Sequence, residues 1–237
     1  MSSFRERLRA VLTRPGFRKG DPREPISFDS FIDLGHGLYA ETVLLTTDGP
    51  RPIARIAIGD RVLTFDHGPQ PVRHIERVEF SWLRTEVPEA LWPLRLPPGL
   101  FGNTEERFVA PQQALLLESD IAEEDYGDPF VLIPANVLAL IPQVERVKPS
   151  SERVIFRPRF DRPELVLTED GAVMLCDTGS MIDDWGFYDD DDAPLSYTTL
   201  PEDFAVDLLK REIARDGGIE AHIAKHLSRF EKFREAG

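Results

Sequence analysis

The stretch from Gly37 to Phe80 constrains the fold more than any other part of the chain. Two short apolar runs, residues 42–46 and 61–65, are rich in the β-branched and aromatic residues that suit a pleated, half-buried strand. Between them stands Asp48-Gly49-Pro50, where Gly supplies a positive φ and Pro presets its own, so the chain is expected to turn there. A second turn, Asp66-His67-Gly68-Pro69, follows the second run. Beyond it the pattern alternates, with Val72, His74, Glu76, Val78 and Phe80 on one face and Arg73, Ile75 and Arg77 on the other. The segment therefore predicts a β-meander with tight turns.

Within that meander, Thr42-Val-Leu-Leu-Thr-Thr-Asp-Gly-Pro and the run from Ile58-Gly-Asp-Arg-Val-Leu-Thr-Phe-Asp to Arg73 resemble the opening of a Hint domain. This is the hedgehog/intein autoprocessing module, here in the pattern of its bacterial subfamily. Four further blocks follow in consistent order. Phe108-Val-Ala-Pro-Gln-Gln-Ala-Leu is similar to a strand carrying Val-Ser-Pro-x-His, and Val131-Leu-Ile-Pro-Ala-Asn-Val-Leu to Val-Pro-Ala-Arg-x-Leu. The run from Ile155 to Gly171 resembles a strand pair with Phe-His-x-x-Leu-Asp-x-His, and Leu175-Cys-Asp-Thr-Gly resembles a closing Leu-Asp-Thr-Gly with one extra residue.

The resemblance implies an all-β, Hint-like fold and assigns roles to three positions. A family member opens Cys-Phe-x-x-Gly-Thr with Cys as nucleophile; this chain reads Gly37-Leu38-Tyr39-Ala40-Glu41-Thr42. The Ser and His of the second block, hydrogen-bond partner and general acid on the scissile amide, correspond to Ala110 and Gln113. Both histidines of the later strand pair are replaced, by Arg157 and Pro163. An N-to-S acyl shift needs a thiolate directly after the scissile amide, and Gly37 offers no side chain. The leaving nitrogen needs a proton, which an imidazole can give near neutral pH and the Gln113 amide cannot. The expectation is a Hint domain without autoprocessing activity, acting as a binding or interaction module, with Gly37, Ala110 and Gln113 as vestigial positions. Its cleft would be lined by His36, Thr42, Gln112 and Gln113. The alternative is a self-cleaving domain that uses other residues. If the old cleft persists, Gly37→Cys with Gln113→His should restore slow thiol-dependent cleavage, with Glu41 in place of the family Gly as an obstacle to the backbone path.

Charge and composition narrow the remaining functions. Six basic residues (Arg5, Arg7, Arg9, Arg14, Arg18, Lys19) and one acidic residue (Glu6) open a chain whose net charge is −14. The rest is therefore strongly acidic, which excludes a nucleic-acid reader. The basic arm is expected to fold back on that acidic body, with RNA, an anionic membrane or an acidic partner as the alternatives. No apolar run approaches the ~20 residues of a membrane span. No signal peptide is visible, so a cytoplasmic location is expected. Pro outnumbers Gly, 20 to 16, as suits a loop-rich β fold. The segment 88–102 accordingly predicts extended pieces and turns rather than a helix.

Neither a cofactor nor a metal is predicted. His67 and His74 lack a third ligand at metal-like spacing. His222 and His226 are four apart, but Ile223 stands where a zincin motif needs Glu, so a solvated helix face is expected. The acidic stretch 183–192 lacks the EF-hand ligand spacing. The one cysteine, Cys176, lies in Val173-Met-Leu-Cys and reads as a small buried hydrophobe.

The termini differ from the centre. Residues 1–20 are expected to form a basic arm with a short amphipathic helix through Leu12, residues 21–195 the β domain, and residues 196–237 a helical appendage. In the appendage, Phe204, Ala205, Leu208, Leu209 and Ile213 share one helix face, and Ile219, Ile223, Leu227 and Phe230 another, joined through Gly217-Gly218. Such a hairpin must dock, whether on the β domain, helix on helix, or on a second copy of the chain. A protein partner, or self-association through these helices, is expected.

Overall fold

The computed structural model describes residues 35–79, 87–100, 103–150, 152–176 and 199–236, with side chains to residue 227. The expected N-terminal helix, the acidic stretch 183–192, Phe80 and the Phe230 side chain lie outside these residues.

The fold is all-β at its centre, two antiparallel sheets with helices at the C-terminal end. One sheet has six strands: β1 (Leu38–Tyr39), β6 (His74–Glu79), β7 (Leu94–Leu96), β8 (Arg107–Val109), β11 (Glu145–Arg146) and β12 (Val154–Arg159). Their order is β11-β7-β8-β1-β12-β6. The other contains β2 (Val43–Thr46), β3 (Gly49–Pro52), β4 (Arg61–Thr64), β5 (Gly68–Pro71), β9 (Ala114–Glu118), β10 (Phe130–Pro134), β13 (Glu164–Leu167) and β14 (Val173–Cys176). It runs β10-β9-β14-β13-β4-β2-β3, with β5 paired to β4.

The meander is finer than the sequence pattern suggests. Gly49-Pro50 and Gly68-Pro69, expected as turn residues, lie in the strands Gly49–Pro52 and Gly68–Pro71, which pair with β2 and β4. Proline is compatible because both are edge strands. Ile53 N donates to Thr42 O (2.8 Å) and Val72 N to Asp60 O (2.9 Å), so the intervening Pro52 and Pro71, and by alternation Pro50 and Pro69, turn their missing donors outward. The turns themselves shift to Thr47-Asp48 and 65–67.

β6 contributes to both faces of its sheet. Ile75 packs on the main core and Val78 on a second cluster of Tyr39, Leu91, Ala110 and Ile155. The main core gathers Leu38, Leu44, Ile53, Val62, Val72, Leu94, Ile141 and Val166 from both sheets. Segment 87–100 forms a 3-10 turn, Glu89–Leu91, and the short strand β7, as its Pro content implies.

Helix α1 (Asp120–Tyr126) was not expected. Its start is nevertheless written in the sequence. Ser119 Oγ accepts from Ala122 N at 3.0 Å, and Gly127, at φ 79°, closes the helix. Helices α2 (Glu202–Arg215) and α3 (Ile219–Ala236) follow, turned at Gly217 and Gly218, both at positive φ. The hairpin docks on its own β domain. Ala205 and Leu209 of α2 pack on Ile133 and Val137, Leu208 on Ile121 and Ala122, and Ile219 and Ile223 of α3 on the main core. Phe204 departs from its expected place: it is 54 % exposed, off the docked face. No described helix is long and apolar enough to cross a membrane.

Candidate functional site

The cleft is built where β1 begins. β1 lies between β8 and β12, pairing Leu38 with Val109 on one side and Phe156 on the other. The chain leaving β8 makes a tight loop, with Gln113 N bonded to Ala110 O at 3.0 Å. The third sequence block fixes that loop. Ala135 N donates to Gln113 O (2.8 Å) and Asn136 N to Pro111 O (2.7 Å). The loop and β12 thus flank residues 35–37 from opposite sides.

Three consecutive backbone groups are gripped there. Gln112 N donates to Gly35 O at 2.8 Å. Arg157 Nε donates to His36 O at 3.4 Å. Gly37 N donates to Gln113 Oε1 at 3.0 Å. The peptide joining residues 36 and 37 is therefore bonded at both its carbonyl and its N–H. Gln113, 3 % exposed, has no freedom to change partners, since its Nε2 donates to Leu175 O (2.7 Å) and Ala114 O (3.1 Å). Arg157 is steadied by Glu76, its cross-strand neighbour, at 3.4 Å; Glu76 also pairs with Arg159 at 3.1 Å.

The chemistry of this arrangement is limited. The Gln113 oxygen accepts the Gly37 N–H and has no proton to return to that nitrogen. Ala110 is fully buried in the apolar cluster with Tyr39 and Ile155, so a methyl fills the place of a hydroxyl. Gly37 sits at φ 110°, in the region that favours glycine. A Cβ built there would lie 2.4 Å from Ile155 Cγ2, 3.0 Å from Arg157 Cγ and 3.1 Å from Phe156 O. A cysteine reinstated at residue 37 would therefore meet an obstacle beyond the Glu41 backbone path: a buried, β-branched neighbour occupies the space.

The sequence-selected residues divide. Gly37, Gln112 and Gln113 come together, and His36 joins through its backbone while its side chain is exposed. Thr42 is buried further along, its backbone bonded to Tyr39 and Ile53. Arg157, read in the sequence only as a lost histidine, supplies the carbonyl contact. Its cross-strand Glu76 lies on the predicted alternating strand, a signal that pairing analysis could have used. Glu41, in place of the family Gly, keeps a negative φ and turns its carboxylate toward Arg153, Nη1 to Oε1 3.6 Å.

Elsewhere, His222 corrects the solvated-face expectation. It is 2 % exposed and its Nδ1 lies 2.7 Å from Asp216 Oδ2. Glu212, Asp216 and His222 offer ligand-type atoms within 4.8 Å of one another, but the Lys225 ammonium already lies 2.6 Å from Asp216 Oδ1. Burial raises the Asp216 pKa, and the hydrogen bonds from Lys225 and His222 outweigh it, leaving the carboxyl below its ordinary range. Glu212 accepts from Ser119 Oγ at the start of α1. The group is a polar latch among α1, α2 and α3. His67 Nδ1 lies 2.9 Å from the buried Glu164 carboxylate, and Cys176 is buried in the main core.

Two antiparallel sheets that present the start of β1 between a Pro-x-Gln loop and a facing strand define an all-β module of the hedgehog/intein class. The sequence pattern of that class, the Hint domain, matches residues 36–174, and the chain belongs to the Hint domain family. Solved structures of inteins show partial likeness. A splice-inactive variant of the AceL NrdHF class 3 split intein is 14% identical, over 61% of this chain and 99% of that one, with a TM-score of 0.36. The gp41-1 intein is 11% identical, over 58% and 96%, with a TM-score of 0.34. The bacterial intein-like domain from Clostridium thermocellum is 15% identical, over 59% and 97%, with a TM-score of 0.37. No curated protein sequence matches the chain.

Proposed function

We propose that this is a Hint domain that no longer cuts its own backbone and serves as a binding or interaction module. The observation that supports it is the double grip on the peptide between His36 and Gly37, by Arg157 Nε at the carbonyl and Gln113 Oε1 at the N–H. In an acyl shift the N–H partner must end as a proton donor and the carbonyl must meet a nucleophile. Here the N–H partner only accepts, and residue 37 has no side chain. The same groups that would assist cleavage act as a strap, holding residues 35–37 in line with β1 and tethering whatever precedes them. In this reading residues 1–20 are a basic arm retained on an acidic body, 21–195 the β domain, and 196–237 the helical part. A protein partner, or a second copy meeting the exposed side of the helices, would be the ligand.

Intact-mass measurement tests the first half. The chain should stay at 26.9 kDa in neutral buffer with or without dithiothreitol or hydroxylamine. Loss of residues 1–36, accelerated by either nucleophile, would sink it. Sedimentation equilibrium at rising concentration tests self-association, and a strictly monomeric chain would leave only a different partner.

A further inference from the structure

We propose that the aromatic pair Phe65 and Phe130 is the docking surface for the basic N-terminal arm, residues 1–20, which lies outside the described residues. This docking presupposes that the arm stays attached through the strap, as proposed above, and names the face that receives it.

Register decides which side chains share that face. Val166 is opposite Thr64, so Leu165 stands opposite Phe65, and Leu132 follows Phe130 by two on β10. Leu165, Leu132 and Ala114 form an apolar cluster with half-buried Leu116, Val173 and Leu175. Among the described residues this cluster contains side chains of the one sheet alone. Helices α1 and α2 pack instead on the other side of β10, through Val131 and Ile133. At the end of the uncovered face, Phe65 and Phe130 are 44 % and 40 % exposed, and their rings meet edge to face at 5.3 Å. β4 and β10 lie four places apart in the sheet, about 19 Å if it were flat. The sheet therefore coils to bring the rings together. Scattered exposed apolar side chains are ordinary, whereas two large rings joined over an apolar face mark a contact surface.

Charge selects the occupant. Residues 118–130 carry six acidic residues and no basic one. Glu118 is directly across from Phe130, and Asp128 Oδ1 accepts from Phe130 N at 2.8 Å. Arg211 and Arg215 of α2 offset only Asp125 and Glu124, so the rim of the patch stays negative. An apolar patch in an acidic rim suits a cationic amphipathic segment. Phe4, Leu8, Val11 and Leu12 recur at helical spacing, interleaved with Arg5, Arg7 and Arg9. A second copy would set the same acidic rim against itself.

The tether is long enough. β10 starts at Phe130 and ends at Pro134, opposite Ala114, the residue after Gln113 of the strap. Patch and strap are therefore the two ends of one short strand, about 17 Å apart. Residues 13–34 join Leu12 to the strapped Gly35, and such a length of chain reaches about 70 Å when extended.

An arginine-specific protease tests the docking on the full chain, read as cleavage after Arg5, Arg7 and Arg9 by mass spectrometry. Intact mass before protease shows whether the arm is attached; a chain already lacking it would overturn retention and docking together. With the arm attached, Phe65→Ser with Phe130→Ser should be cut in the arm about tenfold faster than the parent, since cleavage follows the undocked population. Glu118→Lys, an exposed rim change that spares the apolar cluster, should release the arm in the same direction. Leu8→Asp, outside the β domain, should do so too. Equal rates in the parent and Leu8→Asp would overturn the docking and leave retention standing. Release by Leu8→Asp but not by Glu118→Lys would place the arm on another face. Protection that rises with protein concentration would give the patch to a second copy. Either result would refute the proposal.

Discussion

Gly37→Cys is the substitution that a family comparison invites, and the structure predicts that it damages the fold rather than restoring a reaction. Two costs add. Residue 37 sits at φ 110°, where an L side chain is strained by about 1–3 kcal/mol. Its new Cβ would also lie 2.4 Å from Ile155 Cγ2, and Ile155 is fully buried against Tyr39 and Ala110, so the methyl cannot swing aside. Forcing a group into packed surroundings costs about 1–3 kcal/mol more. A total of about 2–6 kcal/mol is expected if the backbone stays put. For a chain of this size that corresponds to a fall in melting temperature of roughly 4–24 °C. Urea unfolding of the parent, Gly37→Ala and Gly37→Cys measures it, and Ala should cost nearly as much as Cys because the penalty resides in Cβ. Intact mass of Gly37→Cys with Gln113→His in dithiothreitol should show no cleavage. A stability change under about 0.5 kcal/mol in Gly37→Ala, the usual scale for uncritical surface positions, would refute the packing argument.

Three other outcomes follow from the same contacts. Gln113→Leu keeps the approximate volume but orphans Gly37 N–H and Leu175 O, which should cost about 2–4 kcal/mol by chemical denaturation, whereas a neutral result would mean neither bond matters. Ala110→Ser places a hydroxyl in the apolar cluster of Tyr39 and Ile155 and should destabilise by about 1–3 kcal/mol without creating activity; cleavage on mass analysis would contradict it. Asp216 has a depressed carboxyl pKa, so the unfolded chain binds more protons than the folded one as pH falls through the ordinary Asp range near about 3.9. Its stabilisation is therefore full above that range and lost below it, and Asp216→Asn should flatten part of the acid side of a stability–pH curve. An identical curve would show the latch to be indifferent to that charge.

Much of this architecture is legible in the sequence because period and turn chemistry are local. The runs around Val43 and Val62 are rich in β-branched and aromatic residues, Gly217-Gly218 must turn, and Ala205, Leu208 and Leu209 share a helix face, so these elements are readable one residue window at a time. The prolines of β3 and β5 misled for a physical reason. Proline disqualifies a central strand but not an edge, and edge position is a property of the whole sheet. Helix α1 was missed because seven residues carry too little periodicity, although Ser119 and Gly127 mark its ends. In the site, the order of blocks was enough to pair Gly37 with Gln113, 76 positions apart. Arg157 was not legible as a contact because a lost histidine says nothing of what its replacement reaches. The burial of His222 depends on where α3 docks, which helix spacing alone does not determine.

The account rests on a peptide that is held at both ends, and amide exchange at Gly37 reads that grip directly. In the assigned NMR spectrum of the intact chain, the Gly37 N–H should exchange orders of magnitude more slowly than an open peptide, and Gln113→Leu should lose that protection while the amides of β9 and β10 keep theirs. A Gly37 amide that exchanges in the parent at the rate of an exposed loop would contradict the strap.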